Sequence, residues 1–314
     1  MEEKIKNIIN ILTGKTLLEE KRILRIKVTE KECILEYKAN KTDAQDILNQ
    51  IKKIYTYAGE IKLLQKEYYN GPKKILGISS VKGGVGKSTI SLNISLMLSQ
   101  MGLKVGLLDS DIYGPSVNFL LGSDNQQAYT NKENRIIPFV YKTLKYITFA
   151  SFIKKEEPVI WRGPMLNGVI KQFLYDVDWS GLDILVIDFP PGTGDVYLSI
   201  LQFIDLTGVV LISTPQELSL LDTNRGLSFF NKFSVKVLGF IENMAYFLCE
   251  CGRQHYLFGE DLKKKIEKPL LGSLPIDPSV ATANDQGKPM VEFFQESDWV
   301  KELKVITEKI LKDL

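Results

Sequence analysis

"SSVKGGVGKST", residues 79–89, sits between the apolar run "KILGI" and the helical stretch "ISLNISLMLSQ". Gly86-Lys87-Ser88 closes the Gly-x4-Gly-Lys-Ser/Thr pattern of a phosphate-binding loop, but the opening glycine position holds Val81 and a second lysine, Lys82, stands beside it. Gly83, Gly84 and Gly86, with Val85 among them, let the backbone aim its N–H groups at phosphate oxygens. A helix starting near Ser88 adds its positive N-terminal end. Lys87 is expected at the β and γ phosphates, Ser88 on Mg²⁺ and Thr89 at the α-phosphate. The bland alternative is a glycine-rich turn, which does not call for Gly-Lys-Ser-Thr in register between a strand and a helix.

Working outward, short apolar runs alternate with helical ones. "KILGISS", "LKVGLLD", "LDILVID", "TGVVLIST" and "VKVLGFIEN" are apolar throughout, as strands buried on both faces are. Between them lie "STISLNISLMLSQMG", "GPMLNGVIKQFLYDV", "VYLSILQFI" and "LSLLDTNRGLSFFNKF", all with helical spacing. The alternation predicts an α/β fold, a doubly wound, mostly parallel sheet of the P-loop NTPase kind over residues 74–314. Residues 1–58 read as a small α+β domain, with helices in "KIKNIINIL" and "DAQDILNQIKKIYTYAG" and strands in "RILRIKVT" and "CILEYKA". Asp43 is the expected N-cap of the second helix and Gly59 its stop. Charged, Tyr-rich 59–73 reads as a linker.

Acids fall at strand ends, where the chemistry of such a sheet is placed. "VGLLDSD" puts Asp109 and Asp111 after one strand, and "LDILVID" ends on Asp188. Asp188 is suited to hold Mg²⁺ through water, and Asp111 to orient or deprotonate an attacking water. Asp109 taken alone fits a helix cap equally well.

The 314 residues carry 40 Lys+Arg against 38 Asp+Glu, a net charge of +2, with no apolar run long enough to span a bilayer. That balance gives no footprint for nucleic acid or a membrane surface, and a cytoplasmic protein is expected. Three cysteines, Cys33, Cys249 and Cys251, are too few for a disulfide framework. Cys33, among apolar neighbours in a strand, reads as core.

Taken together, "VKGGVGKST", "GLLDSDIYGPS", "WRGPM", "LVIDFPPGTGD", "ENM" and "LPIDPSVATANDQGKP" resemble the Mrp/ApbC group of iron–sulfur cluster carrier ATPases. That group belongs to the deviant Walker A class, with MinD and ParA ATPases as cousins, and the resemblance covers residues 74 to about 295. It implies ATP and Mg²⁺ as ligands, slow or regulatory hydrolysis, and a sandwich homodimer in which Lys82 crosses to the partner's nucleotide. It implies a loop path in which Val81 replaces the glycine. It also implies that Asn243 of "ENM" contacts adenine and that the segment from Pro275 through Asp277 to Val280 flanks the base. Gly192, Thr193 and Gly194 become a γ-phosphate-sensing loop, while Arg162 and Gly163 match a motif that a structural turn would explain as well. The small N-terminal region resembles the domain preceding the ATPase in many bacterial members.

In that group a Cys-x-x-Cys pair from each subunit holds a 4Fe–4S cluster. Here the spacing is Cys249-Glu250-Cys251, one residue short. In an extended chain the two sulfurs would share a face, with Cα atoms about 6.5–7 Å apart. His255, the only histidine, offers at most a third ligand per chain. Iron–sulfur cluster or zinc at a dimer interface stands against two incidental cysteines. Implied partners are a second copy, apo iron–sulfur proteins and a cluster assembly scaffold. The rivals are a MinD/ParA-like nucleotide switch without a cluster and a NifH-like reductase. A reductase of that kind carries cysteines after the Mg²⁺-acid strand, and "FPPGTGDVYLS" has none. The terminal "SDWVKELKVITEKILKDL" is mixed in charge and reads as a core-packing helix, not a membrane anchor.

Overall fold

A computed structural model describes residues 2–8, 16–19, 23–28, 32–39, 44–54, 60–67, 69, 71–123, 126–131, 135–152, 163–259 and 268–314. They divide into two compact units, Met1–Asn70 and Gly71–Leu314.

The smaller unit comprises α1 (Glu2–Lys6), β1 (Ile23–Val28), β2 (Glu32–Ala39), α2 (Ala44–Ile54) and β3 (Glu60–Glu67). β2 is the central strand, antiparallel to β1 and parallel to β3. Ile5, Ile8, Leu17, Cys33, Leu35, Tyr37, Ile47 and Ile51 form its core. Cys33 is therefore packing, and burial pushes its thiol pKa up. Asp43 and Gly59 lie outside the described residues. The expected linker from 59 needs correction, because Glu60–Glu67 of it is β3. An edge strand pairs through its backbone on one side only and tolerates the charges that made this stretch read as linker.

The larger unit runs through β4 (Lys74–Ser79), α3 (Lys87–Gln100), β5 (Val105–Asp109) and α4 (Val117–Leu120). A ribbon of β6 (Tyr129–Thr130) and β7 (Ile136–Ile137), then β8 (Phe139–Tyr141) and β9 (Leu144–Thr148), leads to α5 (Gly163–Tyr175), β10 (Ile184–Asp188) and α6 (Asp195–Phe203). β11 (Gly208–Ser213), α7 (Glu217–Lys232) and β12 (Val237–Glu242) precede the hairpin β13 (Phe247–Leu248) and β14 (Gln254–His255). β15 (Leu270–Ser273), α8 (Pro278–Asp285), α9 (Met290–Phe293) and α10 (Asp298–Asp313) complete the chain. The sheet order is β15-β12-β11-β4-β10-β5-β9-β8, parallel apart from the β8–β9 pair.

The wholly apolar runs become strands for the reason given by their composition: every described residue of β5, β10, β11 and β12 is buried. α10 buries Trp299, Val300, Leu303, Ile306 and Ile310 at helical spacing, and the Ser297 hydroxyl caps it by accepting from Val300 N–H at 3.2 Å. This is the core-packing helix the sequence suggests. β4 lies between β10 and β11, so the chain reverses its direction of travel across the sheet at β4. The crevice past the carboxyl ends of strands at such a switch point is where ligands of open α/β sheets bind.

Candidate functional site

The loop from Ser80 to Gly86 leaves β4 at that crevice and enters α3. Gly86 is the N-cap of α3 in the left-handed conformation (φ 83°), with no side-chain cap. A Cβ there would collide with Asn243 Nδ2, so glycine is required by both backbone and neighbour. Val81 has no positive φ, which removes the need for glycine at the loop's opening position. Its side chain instead packs so tightly on α7 that a Cβ at Gly226 would lie 2.8 Å from it. Lys82 then turns toward the same helix, donating to Gln216 Oε1 (3.1 Å) and Ser219 Oγ (3.5 Å). In the single chain the second lysine thus rests on side chains at the start of α7.

Lys87 is 7% exposed and donates to Asp188 Oδ1 at 2.6 Å and to Ser88 Oγ at 3.0 Å. Ser91, one turn further along α3, also donates to Asp188 Oδ1 (2.7 Å). Asp188 Oδ2 is buried and has no hydrogen-bond partner. A buried carboxylate oxygen left unpaired, on an aspartate that shares Lys87 with the Ser88 hydroxyl, is the acceptor that a hydrated cation requires. Ser88 and Asp188 thus fit Mg²⁺. Ser91 was missed by the motif, although its four-residue spacing from Lys87 places both on one helix face.

Asp109 and Asp188 are register partners on β5 and β10. Asp109 is fully buried and accepts from Ser116 N–H (3.1 Å), Val117 N–H (3.2 Å), Thr148 Oγ1 (3.1 Å) and Asp111 N–H (3.1 Å). It ties down the loop after β5, which resolves the open choice for this residue toward structure. Asp111 accepts from Tyr113 N–H (3.2 Å) and Gly114 N–H (3.0 Å), both through Oδ1, so Oδ2 stays available.

Burial, and then the charge of Asp188, push the Asp109 pKa up from 3.8 to about 7, against the opposing pull of Lys87 and two backbone N–H groups. Between those values the folded chain holds a proton that the unfolded chain has released. Stability therefore falls as pH rises from about 4 to about 7. In nucleotide-free protein, urea unfolding of wild type should weaken over this window relative to Asp109→Asn, by at most about 1.4 kcal/mol per pH unit. Parallel pH profiles for the two proteins would remove Asp109 as the source.

Asn243, past β12, donates from Nδ2 to Val85 O (2.9 Å), and its backbone N–H donates to Ser213 O (2.8 Å). One of its two amide groups thus clamps the phosphate loop across 158 positions of sequence. Asn284 of α8 donates to Thr89 Oγ1 (3.0 Å), a contact no sequence pattern signals. The loop after β10 is tethered to the phosphate loop by Gly192 N–H on Ser80 O (3.3 Å), leaving Thr193 exposed. Asp277 uses its carboxylate to cap α8, accepting from Ser279 N–H (2.8 Å). Pro275 and Asp277 line a cavity of about 200 Å³ with Tyr246, Phe247 and Leu248, at the root of the cysteine hairpin. Gly163 opens α5, and Arg162 lies outside the described residues.

Cys249 and Cys251 occupy the tip of the β13–β14 hairpin. Gly252 N–H donates to Cys249 O (2.9 Å), which turns the chain, and the two Cα atoms come to 5.3 Å, closer than an extended segment would place them. The sulfurs are joined in a disulfide that spans one intervening residue and braces no other element. Both thiol positions and His255 come together, with ligand atoms within 4.8 Å of one another.

A glycine-rich loop at the switch point, and a buried lysine bonded both to a serine at the start of its helix and to a strand-end aspartate with one unpaired oxygen, define a P-loop nucleotide-binding protein. The family described as ParA, the NUBPL iron-transfer P-loop NTPase, matches residues 71–311. The chain belongs to that family. The iron-sulfur cluster carrier protein of Aquifex aeolicus is 44% identical over 237 residues, 74% of this chain and 65% of that protein's own length. The iron-sulfur cluster carrier protein of Synechocystis is 43% identical over 76% of this chain and 70% of its own. A solved nucleotide-binding protein from Archaeoglobus fulgidus, in complex with ADP, superposes with a TM-score of 0.62 at 34% identity, covering 72% of this chain and 90% of that one. The resemblance read from the separated motifs and the doubly wound sheet are both borne out. No described helix is long and apolar enough to cross a membrane.

Proposed function

We propose that this chain is an ATP-hydrolysing iron–sulfur cluster carrier that works as a homodimer and passes its cluster to apoproteins. The observation that carries the reading is the meeting of two thiol positions at a solvent-facing hairpin tip on the unit that bears the phosphate loop. Relatives named as iron–sulfur cluster carriers support it.

In this reading Lys87 leaves Asp188 for the β and γ phosphates, and the loop N–H groups from Gly83 to Thr89 cradle the chain of phosphates. Ser88, and Asp188 through water, would hold Mg²⁺, which when bound would supply charge neutralisation at the phosphates. Asp111 orients the attacking water with its available oxygen. Lys82 swings from Gln216 and Ser219 to the nucleotide of the partner chain, while Asn243 and the segment around Pro275 and Asp277 flank the base. Gly192, Thr193 and Gly194 sense the γ-phosphate through the tether to Ser80. The cargo is a 4Fe–4S cluster shared by Cys249 and Cys251 of two chains, received from an assembly scaffold; zinc is the competing occupant. A compartment that keeps thiols reduced, such as the cytoplasm, suits loading on free thiolates.

The test is anaerobic reconstitution of reduced protein with iron and sulfide, counting iron per dimer. Wild type should retain a cluster, and Cys249→Ser should fall to background, because a serine hydroxyl stays protonated where a thiol ionises. Equal iron in both proteins would withdraw the carrier function in favour of a nucleotide switch.

A further inference from the structure

Three metal-ligating side chains, one of them outside the cysteine pair, meet on the β13–β14 hairpin. Phe247 and His255 stand directly opposite one another, Leu248 and Gln254 form the next pair, and two residues from Phe247 toward the tip Cys249 N–H donates to Arg253 O at 3.0 Å. Side chains two apart on a strand share a face, and so do cross-strand partners. Cys249 therefore shares its face with Phe247 and with His255. The turn closed by Gly252 N–H on Cys249 O folds Cys251 back toward the same place. The two Sγ atoms and a ring nitrogen of His255 consequently lie within 4.8 Å of one another. Among the described residues no other group of three or more His, Cys, Asp or Glu side chains gathers in this way. A tetrahedral ion with sulfur at about 2.3 Å and nitrogen at about 2.0 Å needs donors about 3.5–3.8 Å apart. The imidazole nitrogen already lies within 4.8 Å of both sulfurs, and the sulfurs, bonded to each other here, have to move apart once the disulfide is reduced. Cys251 and His255 are exposed and Cys249 partly so, which gives an ion direct access from solvent.

We propose that His255 is a third ligand, so that each protomer alone holds one tetrahedral divalent ion of the zinc class. Two thiolates and an imidazole bind it, and the fourth position is open to water or to an incoming thiolate. The proposal rests on the reading of this hairpin as the metal-loading site and extends it from a half-site shared between chains to a site on one chain. Three donors from each of two hairpins exceed the four that one such ion accepts, so the stoichiometry is one ion per chain. Loading begins from the reduced hairpin. A phosphine supplies two electrons to the disulfide and takes up the oxygen of a water, whose two protons go to the sulfurs. The ion then displaces both thiol protons to the buffer and binds imidazole through its unprotonated nitrogen.

The experiment titrates the phosphine-reduced, full-length chain with Co²⁺ without oxygen, following the thiolate charge-transfer and tetrahedral ligand-field bands, with Zn²⁺ as competitor. Wild type should take one Co²⁺ per chain. In His255→Asn the affinity should fall by about 100-fold or more, since loss of even an outer-shell partner costs about 10–100-fold, and the ligand-field bands should shift. Unchanged affinity and spectrum in His255→Asn, or one ion for every two chains, overturns the proposal. Cys249→Ser separates the two readings. Loss of Co²⁺ there with full binding by His255→Asn removes the histidine ligand alone. Full binding in both variants removes the hairpin as a metal site and the carrier reading with it. Unchanged nucleotide binding in each variant serves as the check on folding.

Discussion

Lys87→Ala should lose nucleotide binding and stability together. The ammonium sits 2.6 Å from Asp188 Oδ1 with both groups out of water. On binding, this ammonium is to pair with the β and γ phosphates, and truncating one partner of such a hydrogen-bonded charge pair costs about 2–5 kcal/mol, so affinity for ATP should drop by about 30- to 5,000-fold. Lys82 does not stand in for it, since it rests on the start of α7 in the single chain and is proposed to serve the partner's nucleotide in the dimer. The substitution should also strip stability, by about 3–5 kcal/mol, because Asp188 is left as an uncompensated buried charge. Lys87→Ala/Asp188→Asn separates the two effects: its melting temperature should recover, while its affinity for ATP should not. ATP binding by the single variant at wild-type strength would end the phosphate-loop reading.

Asp111→Asn should bind ATP normally and hydrolyse it about 10²- to 10⁴-fold more slowly, the loss typical of removing a positioned general base. Asp111 is 8% exposed, and both of its turn bonds, from Tyr113 and Gly114 N–H, fall on Oδ1. The asparagine carbonyl can accept the same two bonds, so the loop keeps its shape, but the amide nitrogen in place of Oδ2 cannot take a proton. Turnover at saturating ATP is the quantity to measure, with affinity measured separately. Wild-type turnover in Asp111→Asn would move the role to another group.

Much of the site was legible because its parts are local. Gly86-Lys87-Ser88 must sit at a strand-to-helix turn, and Asp111 and Asp188 lie at or just past the carboxyl ends of apolar strands, where such sheets place their chemistry. The cysteine hairpin was half legible. Spacing alone gave two sulfurs on one face, but the turn at Gly252 and the pairing of Phe247 with His255 changed both their separation and their company. β3 was misread as linker because its charges hid an edge strand, whose pairing with β2 depends on a partner more than twenty residues away.

The sequence by itself determined the central apolar strands, the helices between them and the acids that stand at the strand ends, since burial on both faces and helical spacing are written along the chain. Strand order is not written there. Only the packed sheet set β4 between β10 and β11 and made Asp109 the register partner of Asp188, raising its pKa through burial and a neighbouring charge. Only tertiary structure brought Asn243 to Val85, Asn284 to Thr89 and Lys82 to α7. Those contacts join segments more than 100 positions apart, where periodicity carries no information and only the packing of the core against the sheet selects which ends meet.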